Sequence, residues 1–512
     1  MTIKPHKTPY EWLGIGAILL ASILLLWPLF YRGFFVTDDG DWMIIRLSAF
    51  YQSLAEGQFP VRFLGRLYHN YGYPVANFLY PGFLYVGSFV RLFGFSYVDV
   101  IKIVLSISVV GSAVVLYLTL RKKYHLLEAT VGAISFVLSP YVVFDLFKRG
   151  SVGELFAFLP ASILFYGIVS NVLWVIPVAT AVLLVSHNSL ALLFLGVFLL
   201  FSFMQSKRFL YIKSIGIGIG MATFFWLPAL YERRFVLFDS IRVADSLSYF
   251  IRLDQWPLLG IGFISSLVLL FFAKHKITVF EKTSAVVTLC SAALALPISM
   301  FVWKLIPQLS FYVQFPYRFL SLASFIGAFT VSSMLSFVPN KIKGIVVFIL
   351  TCSLVYIVLV SQSAIVYVDH GEGYYSTNEA TTTVKNEYMP RWVQTIQTIR
   401  AAQKVEVLSG DAEFFSSQDT VQRIDGIIDA KAESLISINT IYYPGWGVAL
   451  NGVLTPIEYK NPYGVMHITV PKGKHRLEAS FRETGFRLVA DIISLGFIIL
   501  YIEWMIRMKF KP

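Results

Sequence analysis

Charge, cysteine and histidine are all scarce in this chain of 512 residues, and each shortage closes off a class of protein. Charged residues make up 14% of the chain, against about 25% in a soluble domain, which excludes a water-borne fold. The two cysteines, Cys290 and Cys352, both fall in apolar runs, so the polar parts of the chain have no disulfide framework. The 8 histidines are scattered and form no metal-binding motif. No internal repeat is evident, and ionisable residues are nearly absent from the apolar runs, unlike a transporter built from repeated halves. Net charge is +12, but Lys and Arg sit mostly in short loops between apolar runs, so nucleic-acid binding is not implied.

What is abundant is apolar surface: 56% hydrophobic residues and a mean hydropathy of +0.68. A membrane span needs about 20 apolar residues. Twelve segments meet or approach that: 11–31, 97–120, 126–144, 155–170, 172–186, 189–205, 209–230, 257–273, 283–302, 317–337, 343–367 and 487–507. The apolar stretch 76–93 is broken by Pro81-Gly82 and reads as a re-entrant or interfacial helix. These segments predict an α-helical polytopic membrane protein of about twelve spans. Lys4 and Lys7 precede the first span, which lacks a small-residue cleavage site, so it reads as an uncleaved signal anchor. With the N-terminus inside, Arg121-Lys122-Lys123, Lys207-Arg208, Lys274-His275-Lys276, Lys341 to Lys343 and the tail Arg507 to Lys511 all fall on the cytoplasmic side, as the positive-inside rule requires. Both termini are then cytoplasmic.

The opposite face holds the unusual sequence. It carries a first outer loop over 32–96, the 231–256 loop and a long polar segment near the C-terminus. In the 231–256 loop, Glu232-Arg233-Arg234, Arg242 and Arg252 read as solvated. The chain divides into a transmembrane module (1–367), an extracytoplasmic α/β to β-sandwich-like domain (368–485), and a last helix with a basic tail (486–512). Within the domain, Met389 to Gln403 predicts a helix with Pro390 in its first turn and Trp392, Ile396 and Ile399 along one face. Leu435 to Ile441 and Val465 to Val470 predict strands. Asn451-Gly452 predicts a hairpin turn, and Pro471-Lys472-Gly473 another turn.

The first outer loop opens on Thr37-Asp38-Asp39-Gly40-Asp41, three carboxylates in four residues. Met43, Leu47, Phe50 and Leu54 fall on one helical face and Gly57 supplies a stop, so 42–56 predicts an amphipathic helix on the outer membrane surface. Asp39 or Asp41 would cap it. One cap needs one carboxylate, and like charges this close repel. The surplus points to a bound cation, a basic partner or catalysis.

After that stretch come Gly57-Gln58-Phe59-Pro60-Val61-Arg62, then Asn70-Tyr71-Gly72-Tyr73-Pro74 and Phe78-Leu79-Tyr80-Pro81. A first span, an acidic motif opening a surface helix and these motifs together resemble the GT-C superfamily of multi-span glycosyltransferases and their bacterial relatives. Two further segments resemble the YfhO-like and "6-pyruvoyl-tetrahydropterin synthase-related" membrane families. They are Ser139-Pro140-Tyr141 with Arg149-Gly150-Ser151-Val152-Gly153-Glu154, and Tyr443-Pro444-Gly445-Trp446 with Asn451-Gly452. Pterin chemistry needs a zinc-binding histidine set that this chain lacks, and no stretch matches the acceptor-sequon pocket of oligosaccharyltransferases.

The resemblance implies inverting sugar transfer from a polyprenyl-phosphate donor to a glycan, lipid or protein acceptor. It places the reaction at the outer face of a multi-pass protein of a prokaryotic plasma membrane, in contact with lipid and not nucleic acid. It makes Asp38, Asp39 or Asp41 the general base, with Asp38 or Asp39 favoured once a cap is subtracted. The oxygen ligands of Asp39 and Asp41 suit Mg²⁺, Mn²⁺ or Ca²⁺, but nothing requires a cation. Arg62, Arg66, Arg149 and Arg318 are candidates to bind the donor phosphate, since a guanidinium offers a planar fork of donors; headgroup contact and snorkelling are the bland alternatives. His69, Glu154 and His187 join them as substrate-binding candidates. Glu154 pairs with Arg149, or holds a sugar hydroxyl or metal; His187 is a satisfied interface residue or a phosphate donor. Two other functions fit the composition, a lipid-linked saccharide transporter or flippase and a non-catalytic scaffold for the outer domain.

Overall fold

The computed structural model describes residues 10–241, 246–273 and 275–509. Lys4, Lys7, Arg242, Lys274 and Lys511 lie outside these residues. Among the described residues, eight helical stretches are long and apolar enough to cross a membrane, or ten if each of two bent pairs counts as one span. The bent pairs are Arg208–Met221 with Thr223–Phe235, at 65°, and Val279–Leu294 with Pro297–Leu305, at 85°. The helices Val175–Ser186 and Asn188–Phe203 are the remaining two of the twelve predicted segments. They have 12 and 16 residues, about 18 and 24 Å at 1.5 Å per residue. That is short of a hydrocarbon core of about 30 Å, which is where a count of twelve and a count of eight to ten part.

Two sets of polar contacts lie at opposite ends of the Leu126–Arg149 stretch. At one end Arg121 pairs with Glu11, and Lys343 with Glu128 at 2.7 Å. At the other, the first outer loop lies against residues 145–154. The stretch between is not one regular helix. Ser139 caps a short helix, Pro140–Phe144, which widens into a π-helical turn over Asp145–Arg149 and ends at Gly150 in the left-handed region, φ 63°. The Gly82–Arg91 helix has 10 residues, too few to span, in keeping with the break at Pro81-Gly82.

The loop after the first helix is anchored at its start by a two-residue strand, Phe34–Phe35, paired antiparallel with Tyr367–Val368. The helix that follows, Gly40–Ala55, covers the predicted range, but its setting differs from the expectation of a surface helix. Its far side is covered too: Ile44, Ile45, Arg46, Ser48 and Ala49 are buried along with Met43, Leu47 and Phe50. The cover comes from the segment after residue 368. Ser48 donates to the Tyr375 carbonyl at 2.6 Å, and Arg46 donates to the Thr382 carbonyl at 2.5 Å.

The segment after residue 404 forms two antiparallel sheets. Five strands run in the order Ala412–Thr420, Arg423–Ala430, Gly473–Phe481, Trp446–Leu450, Val453–Thr455, and three in the order Val405–Ser409, Ser434–Ile441, Val465–Val470. The predicted hairpin turn is present, with Asn451 and Gly452 both at positive φ, as a type I′ turn requires. The predicted helix over Met389 to Gln403 is not: this backbone is claimed by other segments. Leu237 N donates to Met389 O and Arg391 N to Phe235 O, both at 2.9 Å, and the amides of Gln394 and Thr395 donate to Pro462 O. Glu232 also departs from expectation. It is buried rather than solvated, and accepts from Arg487, Tyr443 and Asn77.

Candidate active site

The acidic stretch is set by its backbone. Asp38 N donates to Lys148 O and Asp39 N to Arg149 O, both at 2.9 Å, so the loop lies along the π-helical turn. The cap of the Gly40–Ala55 helix then departs from the sequence expectation. Asp39 occupies the cap position without a side-chain capping bond, and Thr37 Oγ1 accepts from Gly40 N at 2.9 Å instead. Neither Asp39 nor Asp41 is consumed by capping, and the Asp39 carboxylate is free to turn to Arg149.

Arg149 Nη2 is shared between Asp39 Oδ2 at 3.4 Å and Glu154 Oε1 at 3.3 Å. Glu154 is wholly buried, and both its carboxylate oxygens accept hydrogen bonds. Its Oε1 also accepts from Arg318 Nε at 2.9 Å, and its Oε2 accepts from the Tyr141 hydroxyl at 2.9 Å. His187 Nε2 lies 3.6 Å from the same Oε1. His187 Nδ1 accepts from Leu190 N, which leaves the imidazole proton on Nε2, facing Glu154. Arg318 continues to Ser189, to Gln314 and to the Val313 carbonyl. Both guanidiniums lie over aromatic faces, Arg149 over Phe315 and Tyr317 and Arg318 over Phe315. A charge buried this deeply is tolerable only when paired, and here Glu154 pairs with both guanidiniums while Asp39 is a second partner of Arg149. The Nε of Arg149 is buried with no partner among the described residues.

Asp39 keeps some contact with solvent. Burial pushes its carboxyl above the ordinary 3.8, against the lowering influence of Arg149 and then Arg46. Tyr80 leans on the His187 ring, 4.6 Å between centroids, and burial pushes its phenol up to about 12.

Five sequence candidates therefore meet: Asp39, Arg149, Glu154, His187 and Arg318. The others are placed elsewhere. Asp38 pairs with Lys148 at 2.9 Å in solvent, and Asp41 accepts from the Tyr375 hydroxyl at 3.2 Å, with His370 at 3.9 Å. Arg62 is buried, with its donors taken by Glu483, Asp491 and the Phe224 carbonyl. Arg66 binds Gln52, Ser48 and the carbonyls of Tyr375, Ser376 and Asn378. His69 lines a polar groove with Asn378, Glu379 and Gln397, and its amide donates to Glu379 O. The three aspartates face different partners, and among the described residues no group of three or more His, Cys, Asp or Glu is arranged to hold a metal ion.

Three residues of this neighbourhood escaped the sequence reading. Arg46 stands as a lone charge inside the apolar run Met43 to Leu47, a usable signal. Asp145 is a lone acid in Phe144-Asp145-Leu146-Phe147, and both its carboxylate oxygens are buried without a partner among the described residues. Glu387 carries no sequence signal.

No protein family and no curated protein matches the chain. Solved structures do. The arabinofuranosyltransferase AftD from mycobacteria aligns with 69% of this chain and 27% of its own, at 14% identity and a TM-score of 0.45. The oligosaccharyltransferase of Archaeoglobus fulgidus, in complex with Zn and sulfate, aligns with 71% of this chain and 53% of its own, at 12% identity and a TM-score of 0.37. Its apo form aligns at 10% identity and a TM-score of 0.38, over 74% of this chain and 57% of its own. This chain thus spans about a quarter of the length of the first and about half that of the second.

Proposed function

We propose that this chain is a membrane glycosyltransferase that moves a sugar from a polyprenyl-phosphate donor to a hydroxyl acceptor, with inversion. The observation that carries the proposal is the pairing of Glu154 with both Arg149 and Arg318 beside Asp39, at one end of an apolar bundle. The polyprenyl chain lies among the helices. Arg149 and Arg318 receive the phosphate, and Glu154 holds their forks in place without neutralising both. Asp39 takes the proton of the acceptor hydroxyl as its oxygen attacks the anomeric carbon. The bond from that carbon to the phosphate oxygen breaks with its electron pair, and the two guanidiniums stabilise the anion that leaves. One displacement inverts the centre.

Of the two segments that resemble the YfhO-like families, the first supplies residues that the mechanism uses and the second does not. Arg149 and Glu154 are in the site, and Tyr443 is bonded to Glu232. The site faces outward from a prokaryotic plasma membrane, with both termini cytoplasmic and the 368–485 domain on the acceptor side, where glycan, lipid or protein acceptors arrive. A flippase is disfavoured, because these ionisable groups gather at the ends of the Leu126–Arg149 stretch rather than at its middle.

The test is transfer by the detergent-purified chain from polyprenyl-phosphate-linked glucose, mannose, galactose and arabinofuranose, repeated with Asp→Asn changes at 38, 39 and 41. The expectation is that Asp39→Asn alone removes transfer without loss of expression. Full activity of Asp39→Asn, or movement of the donor across liposomes with no covalent product, would sink the proposal.

A further inference from the structure

The segment from Thr381 to Tyr388 is held in a conformation that its residues do not favour. Thr382, Lys385 and Asn386 all have positive φ, 58°, 56° and 53°. A β-branched residue there is a genuine outlier, and such strain costs about 1–3 kcal/mol per residue unless the surroundings impose it. They do impose it. Arg46 donates to both the carbonyl and the hydroxyl of Thr382. The Tyr73 hydroxyl bonds to Thr383 Oγ1 at 3.0 Å and accepts from Tyr388 N at 2.9 Å. Thr381 donates to the Asn386 side chain, and the Tyr388 ring stacks between Phe78 and Phe238.

These anchors fix Glu387, which repays none of them. Its Oε2 is buried and has no partner among the described residues. Burial pushes its carboxyl up to about 7, with Arg46 lowering it and Asp39 raising it. A buried carboxylate oxygen without a partner destabilises a fold. A strained, over-determined segment that holds such an oxygen within the electrostatic reach of Asp39 is arranged for something other than stability.

We propose that Glu387 is an acceptor-binding residue of the Asp39 site, taking the hydrogen bond of a second hydroxyl that neighbours the one Asp39 deprotonates. The acceptor is then a polyol, a sugar with vicinal hydroxyls, rather than a simple alcohol or a serine side chain. This rests on the transfer reaction proposed above. Its partner hydroxyl comes from the acceptor and not the donor, because Glu387 belongs to the outer domain's segment, whereas the phosphate-facing arginines belong to the bundle.

Glycerol and 1-propanol, equal in carbon skeleton, make the test. The purified full chain, supplied with the four polyprenyl-phosphate-linked sugars above, is offered each alcohol in competition with water. Wild type should favour glycerol by about tenfold or more, the size of one hydrogen bond to a charged group. Glu387→Ala should lose that preference while donor hydrolysis by water continues, and Glu387→Gln, which keeps an accepting oxygen, should fall between. Neither variant should melt far below wild type, since Glu387 Oε2 has no partner to lose among the described residues. Wild-type preference for glycerol retained in Glu387→Ala overturns the inference and leaves the transfer reaction standing, as does a loss of hydrolysis in step with transfer. Wild type inert towards every donor, or Asp39→Asn fully active, overturns the parent proposal and the inference with it.

Discussion

Arg487 donates to Glu232 through Nε and Nη2, at 2.8 and 2.7 Å, and solvent reaches neither side chain. The pair joins the start of the last helix to the end of a bent one, and Tyr443 of the outer domain and Asn77 of the first loop bond to the same carboxylate. Removing one partner leaves a buried charge alone. Glu232→Ala or Arg487→Ala should each cost about 3–5 kcal/mol, read as a lower melting temperature in detergent. Glu232→Ala should be the worse, since it also strands the Tyr443 hydroxyl.

Glycine at 150 is required twice over. Its φ is positive, and a Cβ would stand 2.1 Å from Thr37 Oγ1, the atom that caps Gly40. Gly150→Ala should therefore push the acidic loop off the π-helical turn and lower transfer at least tenfold. Gly94→Ala is the control: it has positive φ with nothing within 4 Å of the added carbon. It should show only the backbone cost of about 1 kcal/mol.

Asp39 must be ionised to act as a base, and burial raises its carboxyl above 3.8. The acidic limb of the transfer profile should sit above that value. Arg149 is the largest influence holding it down, so Arg149→Gln should move the limb to higher pH as well as lowering the rate. A limb unmoved by Arg149→Gln would place the titrating group elsewhere.

Glu387 has a pH signature in stability. Its folded carboxyl titrates at about 7 instead of 4.5, so the folded chain holds a proton that the unfolded chain releases earlier. Stability from this group is full below 4.5 and is lost as pH rises through about 7. Melting temperature should fall across that window in wild type and fall less in Glu387→Gln.

The legible parts of this chain were the local ones. Apolar runs marked every helix that crosses or nearly crosses the bundle, because length and hydropathy alone decide them. Asn451-Gly452 marked its hairpin because only certain residues accept that turn. Arg149, Glu154, His187 and Arg318 stood out because charges at the ends of apolar runs need partners. What failed depended on distant chain. Met389 to Gln403 has the pattern of a helix, but its backbone bonds go to Phe235, Leu237 and Pro462. The cap could have been Thr37 as readily as an aspartate by residue type, and only the fold shows Thr37 Oγ1 accepting from Gly40 N. Glu387 stays invisible because its meaning comes from Arg46 and Tyr73, contacts set by tertiary packing.

The small strand Phe34–Phe35 has a consequence for the order in which the protein is made. It leaves the ribosome early, yet its pairing partner, Tyr367–Val368, arrives much later, and Arg46 waits for Thr382, 336 positions downstream. The acidic loop can therefore be inserted long before it is fixed. A truncated or stalled chain carries Asp39 without the clasp that positions it, so no partial product of translation holds a finished site.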